Sequence, residues 1–251
     1  MQKLLGKLRR AVSDYGMIKS GEKIAVGLSG GKDSLLLLTL LAKYRVFSPE
    51  QFELTAITID TGMPDTDFSA LTEYCKSINV PHIIEKSDIY EVVFNIRKES
   101  NPCALCSKMR RGALNNVAKE NGCYKLALGH NLDDLLETFM MSMFYEGRLS
   151  TFMPVSFMDR SGVTLIRPLL YIEERDVISA AKRYDFPVLD NKCPVNKHTE
   201  REHIKSIVKS IVKEIPISKD RMISALLSPE RYNLLDKCPR LTNKLDLEGN
   251  E

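Results

Sequence analysis

With 251 residues, 43% of them hydrophobic and 27% charged, the chain can form one full α/β domain with a sizeable core plus a smaller addition, which excludes a disordered protein or a coiled coil. A formal net charge of +3 is too small to argue for nucleic acid by itself, so any such case rests on where the cations cluster. No apolar run approaches the ~18 residues of a membrane span and the N-terminus lacks a signal-peptide core, so a cytoplasmic protein is expected, with six cysteines read as reduced thiols for metal or sulfur chemistry.

Residues 1 to 17 place Leu5, Leu8, Val12 and Tyr15 at helical spacing, with Lys7, Arg9 and Arg10 on other faces, which predicts an amphipathic first helix. A strand near Lys23 to Leu28 then runs through Ser29-Gly30-Gly31-Lys32-Asp33-Ser34 into a helix from about Asp33 to Tyr44. Phe52 to Ile59 reads as a second strand, followed by a helix from about Asp67 to Ile78 and a short strand around His82 to Glu85. The pattern loosens from Tyr90 to Arg111, with Cys103 and Cys106 in that stretch before a helix that reaches about Lys119. Tyr124 to Leu128 is a buried strand, and Gly129-His130-Asn131-Leu132-Asp133-Asp134 turns it into a helix through Phe144. Phe152 to Leu170 reads as a hairpin about Asp159 to Gly162, and Ile172 to Tyr184 as another helix. Past a loop with Cys193, Ile204, Ile207, Val208, Ile211, Val212 and Ile215 keep helical spacing. On the same stretch Arg201, Lys205, Lys209 and Lys213 recur every four residues as a basic ridge. The tail beyond Cys238-Pro239 reads as loosely ordered.

Strands that alternate with helical segments predict βαβ units: an α/β fold with an open parallel sheet and helices on both faces. The expected organisation is an N-terminal helix over 1–20, the main domain over 21–190, and a loop, basic helix and tail over 191–251.

The glycine pair makes a phosphate cradle, because glycine lets backbone approach an anion and the helix N-terminus behind it offers unpaired N–H groups. It is neither G-x-x-x-x-G-K-[ST] nor G-x-G-x-x-G. In an open parallel sheet, ligands bind at the carboxyl ends of the strands, where this loop, Asp60 to Gly62 and Gly129 to Asp134 converge. Asp133 and Asp134 beside a polyphosphate suit Mg²⁺, or they are an ordinary acidic helix start. Cys103 and Cys106 have the C-x-x-C spacing that lets two thiolates share a metal or cluster, and Cys193 can fold back to the same face. Three thiolates fit a structural zinc with His198 as fourth ligand, or a [4Fe–4S] cluster with one iron left for an external ligand such as sulfide. Cys75 and Cys123 read as buried apolar residues, and Cys238 has no assignment. A zinc deaminase is set aside, because its H-x-E would precede the cysteines and it leaves the glycine loop unexplained.

The loop resembles the SGGxDS pyrophosphate loop of the ATP-pyrophosphatase families, which activate a carbonyl-type oxygen as an adenylate. Taken with C-x-x-C followed by Arg110-Arg111-Gly112, with GHNLDDLLET over Gly129 to Thr138, with Ile166-Arg167-Pro168-Leu169 and with the late Cys193, the chain from about Lys23 to Cys193 resembles the tRNA 2-thiolation enzymes of the 2-thiocytidine synthetase group. The resemblance implies a fold like the adenine nucleotide α-hydrolases. It implies ATP on Ser29, Gly30, Gly31, Lys32, Asp33, Ser34, Ile59, Gly129 and Asp134, with Asp33 in the catalytic set. It also implies Mg²⁺, a [4Fe–4S] cluster on Cys103, Cys106 and Cys193, and sulfur replacing the adenylated C2 oxygen of a pyrimidine. The expected partners are tRNA, held by Lys108, Arg110, Arg111, Arg201, Lys205 and Lys209, a sulfur donor (a cysteine desulfurase or free sulfide), and a second copy of the chain. The C-x-x-C pairs near both termini of the zinc-ribbon 2-thiouridine enzymes are absent, and a basic helix follows Pro194 where a further cysteine pair or a glutamine-rich sequence would be expected. Two alternatives stand beside this reading: a lysidine-type or amide-forming ligase with structural zinc, and a nucleotide-binding regulatory module without turnover.

Overall fold

The computed structural model of the chain describes residues 1–98, 102–190, 193 and 200–228. In order these form α1 (Gln2–Asp14), β1 (Glu22–Gly27), α2 (Lys32–Phe47), β2 (Phe52–Asp60), α3 (Ser69–Ser77), β3 (His82–Lys86), a π-helical turn (Glu91–Ile96) and α4 (Pro102–Glu120). They continue with β4 (Lys125–Ala127), α5 (Leu132–Glu146), the hairpin β5 (Val155–Met158) and β6 (Val163–Ile166), then α6 (Glu174–Arg183), α7 (Glu200–Glu214) and α8 (Ser218–Leu226). One compact unit runs from Met1 to Lys209 and a second from Ser210 onward, with α7 crossing the boundary. The second unit contributes α8, an element outside those expected from the sequence.

The sheet order is β3-β2-β1-β4-β6-β5, with every neighbouring pair parallel except the hairpin β5–β6. Alternation along the strands divides the interior between the two faces. Ile24, Val26 and Leu28 join α1, α2, α3 and α6 in one core, whereas Ala25, Ile57, Leu126 and Leu165 join Val117 and Ala118 of α4 in another. The parallel sheet with helices on both faces is the architecture that the βαβ pattern predicts.

Helix α2 is apolar nearly all round, with Leu35, Leu36, Leu37, Leu38, Leu40 and Leu41 fully buried, as befits a helix enclosed between sheet and outer helices. Each such side chain contributes roughly 1.5–3 kcal/mol of burial. The helix that carries the glycine loop is therefore firmly anchored. Strand register brings the loop's neighbours to the same edge: Val26 lies beside Ala56 and Ala127, and Leu126 beside Leu165. The carboxyl ends of β1, β2, β4 and β6 thus share one rim.

One local reading changes. Helix α4 begins at Pro102, so the cysteine pair lies in its first two turns and not in a loop ahead of it. Proline suits a first helical position, where no N–H is needed, and the i, i+3 spacing sets both thiols on one face. His198, Cys238 and the tail lie outside the described residues.

Candidate functional site

The loop leaves β1 at Gly27 and enters α2 through a network of its own hydroxyls. The Ser29 N–H donates to Ser34 Oγ at 3.2 Å, Ser34 Oγ to the Gly31 carbonyl at 2.9 Å, and the Gly31 N–H to Ser29 Oγ at 3.3 Å. Gly30 sits at φ +79°, and Gly31 caps α2 with no side chain to take the first-turn N–H groups. These donors belong to the anion-binding end of the helix dipole. Across the loop, a Cβ at Gly129 would lie 3.1 Å from the Asp33 carbonyl carbon and the Ser34 nitrogen, so the first turn of α2 packs directly on this backbone.

A cleft of about 490 Å³ opens along this rim. One wall is Ser29, Asp33 and Ser34, another is Leu28, Ile57 and Ile59, and the far side holds Gly129, His130 and Arg167. The fourth side is α4, which presents Ser107, Arg110 and Arg111. Arg110 and Arg111 therefore belong to the cleft wall, while Lys108 points to solvent.

Carboxylates beside the loop are organised by Asn131. Its side chain accepts from the N–H groups of Asp133 and Asp134 at 2.9 and 3.1 Å, and its amide nitrogen donates to Asp33 Oδ1 at 2.8 Å. Asp134 closes the capping box by accepting the Asn131 N–H at 2.9 Å. Burial raises its pKa above the usual carboxylate value, against the pull of the Asn131 N–H and Arg201. The acidic residues Asp133 and Asp134 face different partners. Asp133 turns to α6 and accepts the Glu174 N–H at 2.7 Å, because adjacent side chains on a helix point in different directions. The two carboxylates that share this corner of the loop are Asp33 and Asp134, linked through Asn131.

Lys32 pairs with Asp33 at 3.0 Å and Glu174 at 3.2 Å. Burial opposes its charge, but these two carboxylates outweigh it and hold its pKa above the ordinary lysine value. The basic ridge is engaged in part by the protein itself. Arg201 faces inward, 3.4 Å from Asp134, 3.3 Å from Glu137 and 3.1 Å from Thr138 Oγ1, and Lys205 Nζ lies 2.6 Å from Glu174. Charge every four residues marks a helix face, but buried Ile204 and the acidic ends of α5 and α6 turn that face toward the protein. Lys209 is exposed.

The thiols of Cys103, Cys106 and Cys193 are partly accessible and not joined in disulfides. Cys106 has its pKa raised by burial first, with Arg110 opposing and the neighbouring Cys193 and Cys103 adding to the rise, so both other thiols lie close enough to act on Cys106. Among the described residues no three His, Cys, Asp or Glu side chains form a ready single-ion site. A donor set of three thiols beside a guanidinium fits a cluster ligated by three cysteines, whose anionic charge Arg110 would offset. Cys75 and Cys123 are buried, as expected, and burial pushes the Cys75 thiol up to about 11.

Sequence reasoning did not single out Leu189, Glu174, His130 or Arg167. Leu189 donates its N–H to the Gly30 carbonyl at 3.0 Å and lays its side chain over that glycine. His130 and Arg167 stood within quoted motifs, but only the fold places them in the cleft.

Residues 2–212 match the PP-loop domain family. The chain is 37% identical over 238 residues to a protein of Geobacter sulfurreducens named tRNA-cytidine(32) 2-sulfurtransferase, covering 94% of this chain and 93% of that one. It is 41% identical over 241 residues to the protein of the same name from Xylella fastidiosa, covering 94% and 81%. Among solved structures it is similar to the U34-tRNA thiolase NcsA from Methanococcus maripaludis with its [4Fe–4S] cluster, with a TM-score of 0.75 and 28% identity over 94% of this chain and 80% of that one.

Proposed function

The chain belongs to the PP-loop domain family, and from that premise we propose that it is an ATP-dependent tRNA 2-thiolation enzyme acting on cytidine, at position 32 as in the relatives named above. One observation carries the reading: a single cleft is lined both by the phosphate loop and by α4, the helix of Cys103 and Cys106. An oxygen activated on ATP and a sulfur held at thiols would meet across that cleft.

ATP lies with its pyrophosphate on Ser29, Gly30, Gly31, Asp33 and Ser34, Lys32 beside it, and its adenosine against Ile59 at the end of β2. Asp33 and Asp134 carry Mg²⁺, a hard cation suited to carboxylate and phosphate oxygens. The cytidine C2 oxygen attacks the α-phosphorus and pyrophosphate leaves; sulfur then bonds to C2 and the C2–O bond breaks, releasing AMP. Bound on Cys103, Cys106 and Cys193, a [4Fe–4S] cluster supplies an iron position at which sulfur can be held. The protein's own part is to fix the phosphates and to bring the base within reach of sulfur. Arg110 and Arg111 guide the RNA backbone into the cleft, with Lys108 and Lys209 at the exposed surface. In this reading residues 21–190 form the catalytic domain, 1–20 its N-terminal helix, and 191–251 the C-terminal part that includes Cys193. The reaction takes place in the cytoplasm, with a cysteine desulfurase or free sulfide as donor and the chain as a homodimer. Among the described residues no helix is long and apolar enough to cross a membrane.

Mass spectrometry of tRNA nucleosides from cells with and without this protein tests the assignment. Loss of 2-thiocytidine is expected; unchanged 2-thiocytidine, or loss of a 2-thiouridine in its place, overturns it.

A further inference from the structure

Arg167 follows β6 and is only 8% exposed. Its Nη1 donates to the Met153 carbonyl and to Ser156 Oγ at 3.2 Å, and its guanidinium lies 5.0 Å from the centre of the Phe152 ring. Its Nε is buried with no hydrogen-bond partner. Among the described residues no carboxylate pairs with it, whereas Lys32, Lys125, Lys205 and Arg201 each have one. An uncompensated buried cation is costly, and the usual remedies are a shifted pKa or a counter-ion. Burial does lower the Arg167 pKa, but a guanidinium stays charged at any physiological pH. An anion bound in the cleft would supply that counter-ion.

The cleft says which kind. Arg167 lines the same cavity as Ser29, Asp33 and Ser34, but across it, two strands from the loop, since β4 lies between β1 and β6. Beside it His130 lies 5.2 Å from the same Phe152 ring, also with a buried ring nitrogen, Nδ1, lacking a partner. Arg167 and His130 thus both line the cleft and flank one aromatic ring, each keeping a buried nitrogen without a protein partner. With β4 between β1 and β6, Arg167 stands two strand spacings, about 10 Å, round the rim from the glycine loop that takes the pyrophosphate. We propose that Arg167 is the receptor for the α-phosphoryl group, holding it in ATP, in the adenylated base and in departing AMP. The inference rests on the nucleotide reading above. Charge on that phosphoryl group grows as AMP leaves, so a fixed guanidinium there stabilises the leaving group.

Calorimetry of the whole protein with ATP, AMP, adenosine and inorganic pyrophosphate, for the wild type and Arg167→Met, tests this. ATP and AMP should weaken by about tenfold or more, while adenosine and pyrophosphate keep their affinity. The ligand-free variant should melt no lower than the wild type, because a charge without a counter-ion has been removed. Unchanged AMP affinity, an equal loss for adenosine, a loss confined to pyrophosphate, or a loss seen only with tRNA overturns the assignment. Should R167M not fold, Arg167→Lys replaces it. Lysine keeps the charge but not the fork, so AMP should weaken severalfold with adenosine unchanged, and equal AMP affinity overturns the proposal. A wild-type protein that binds neither ATP, AMP nor pyrophosphate removes the nucleotide reading itself.

Discussion

The backbone N–H of Leu189 donates to the carbonyl of Gly30 at 3.0 Å, and the Leu189 side chain covers the face of that glycine from which a Cβ would project. Four residues farther along the chain stands Cys193. Leu189, four residues before Cys193, is therefore tied to the phosphate loop by a hydrogen bond and an apolar contact.

Gly30→Ala should disturb both. The backbone is left-handed at φ +79°, and a Cβ there would approach Leu189 Cδ1 to 2.8 Å. The conformation alone costs a non-glycine residue about 1–2 kcal/mol, so ATP affinity is expected to fall on the order of tenfold. Adding Leu189→Ala removes the two closest contacts, leaving only the Cβ at 3.1 Å, and leaves the strain. A double variant with no more ATP affinity than G30A would show that the contact is not part of the cost.

Cys193→Ala should leave the loop intact and remove the third thiol. After anaerobic reconstitution with iron and sulfide, most of the iron is expected to be lost and thiolation to fall to background. ATP binding should stay within about twofold. A variant that keeps its iron and still thiolates takes Cys193 out of the ligand set. A colourless wild-type protein that holds zinc and thiolates would sink the cluster altogether.

His130 makes the stability depend on pH. Burial first, then the positive charges of Arg167 and Arg201, push its pKa down from 6.5 to about 4. Between those values the unfolded chain binds the proton and the folded one does not. The stabilisation is thus complete above about pH 6.5 and is lost as the pH falls toward 4, on the order of 1–3 kcal/mol in all. Urea unfolding between pH 4 and 7 should show the slope, and His130→Asn should flatten it. An NMR titration in which the His130 ring protonates near pH 6.5 contradicts the shift directly.

Much of the scaffold was legible because hydrophobic periodicity is a local property. The strand Phe52 to Ile59, the glycine loop and the hairpin about Asp159 to Gly162 each carry their pattern within a few residues. The start of α4 was harder to read, since the apolar spacing around Cys103 is weak and only Pro102 marks a first turn. Arg201 and Lys205 show the limit plainly. Their spacing revealed a ridge, but whether a ridge faces solvent or carboxylates depends on Glu137, Glu174 and Asp134, which stand on other helices.

By itself the sequence determined the phosphate loop, the alternating α/β order and the C-x-x-C pair of Cys103 and Cys106, because each depends on residue type and spacing along a few turns of chain. Only the tertiary structure decided which carboxylates flank the loop, that Arg201 and Lys205 are engaged inward, that Leu189 covers Gly30, and that Arg167 is buried in the cleft without a carboxylate partner among the described residues. Those facts are relations between side chains far apart in sequence. Their charges and hydrogen bonds acquire partners, or fail to, only when the strand ends are brought to one rim.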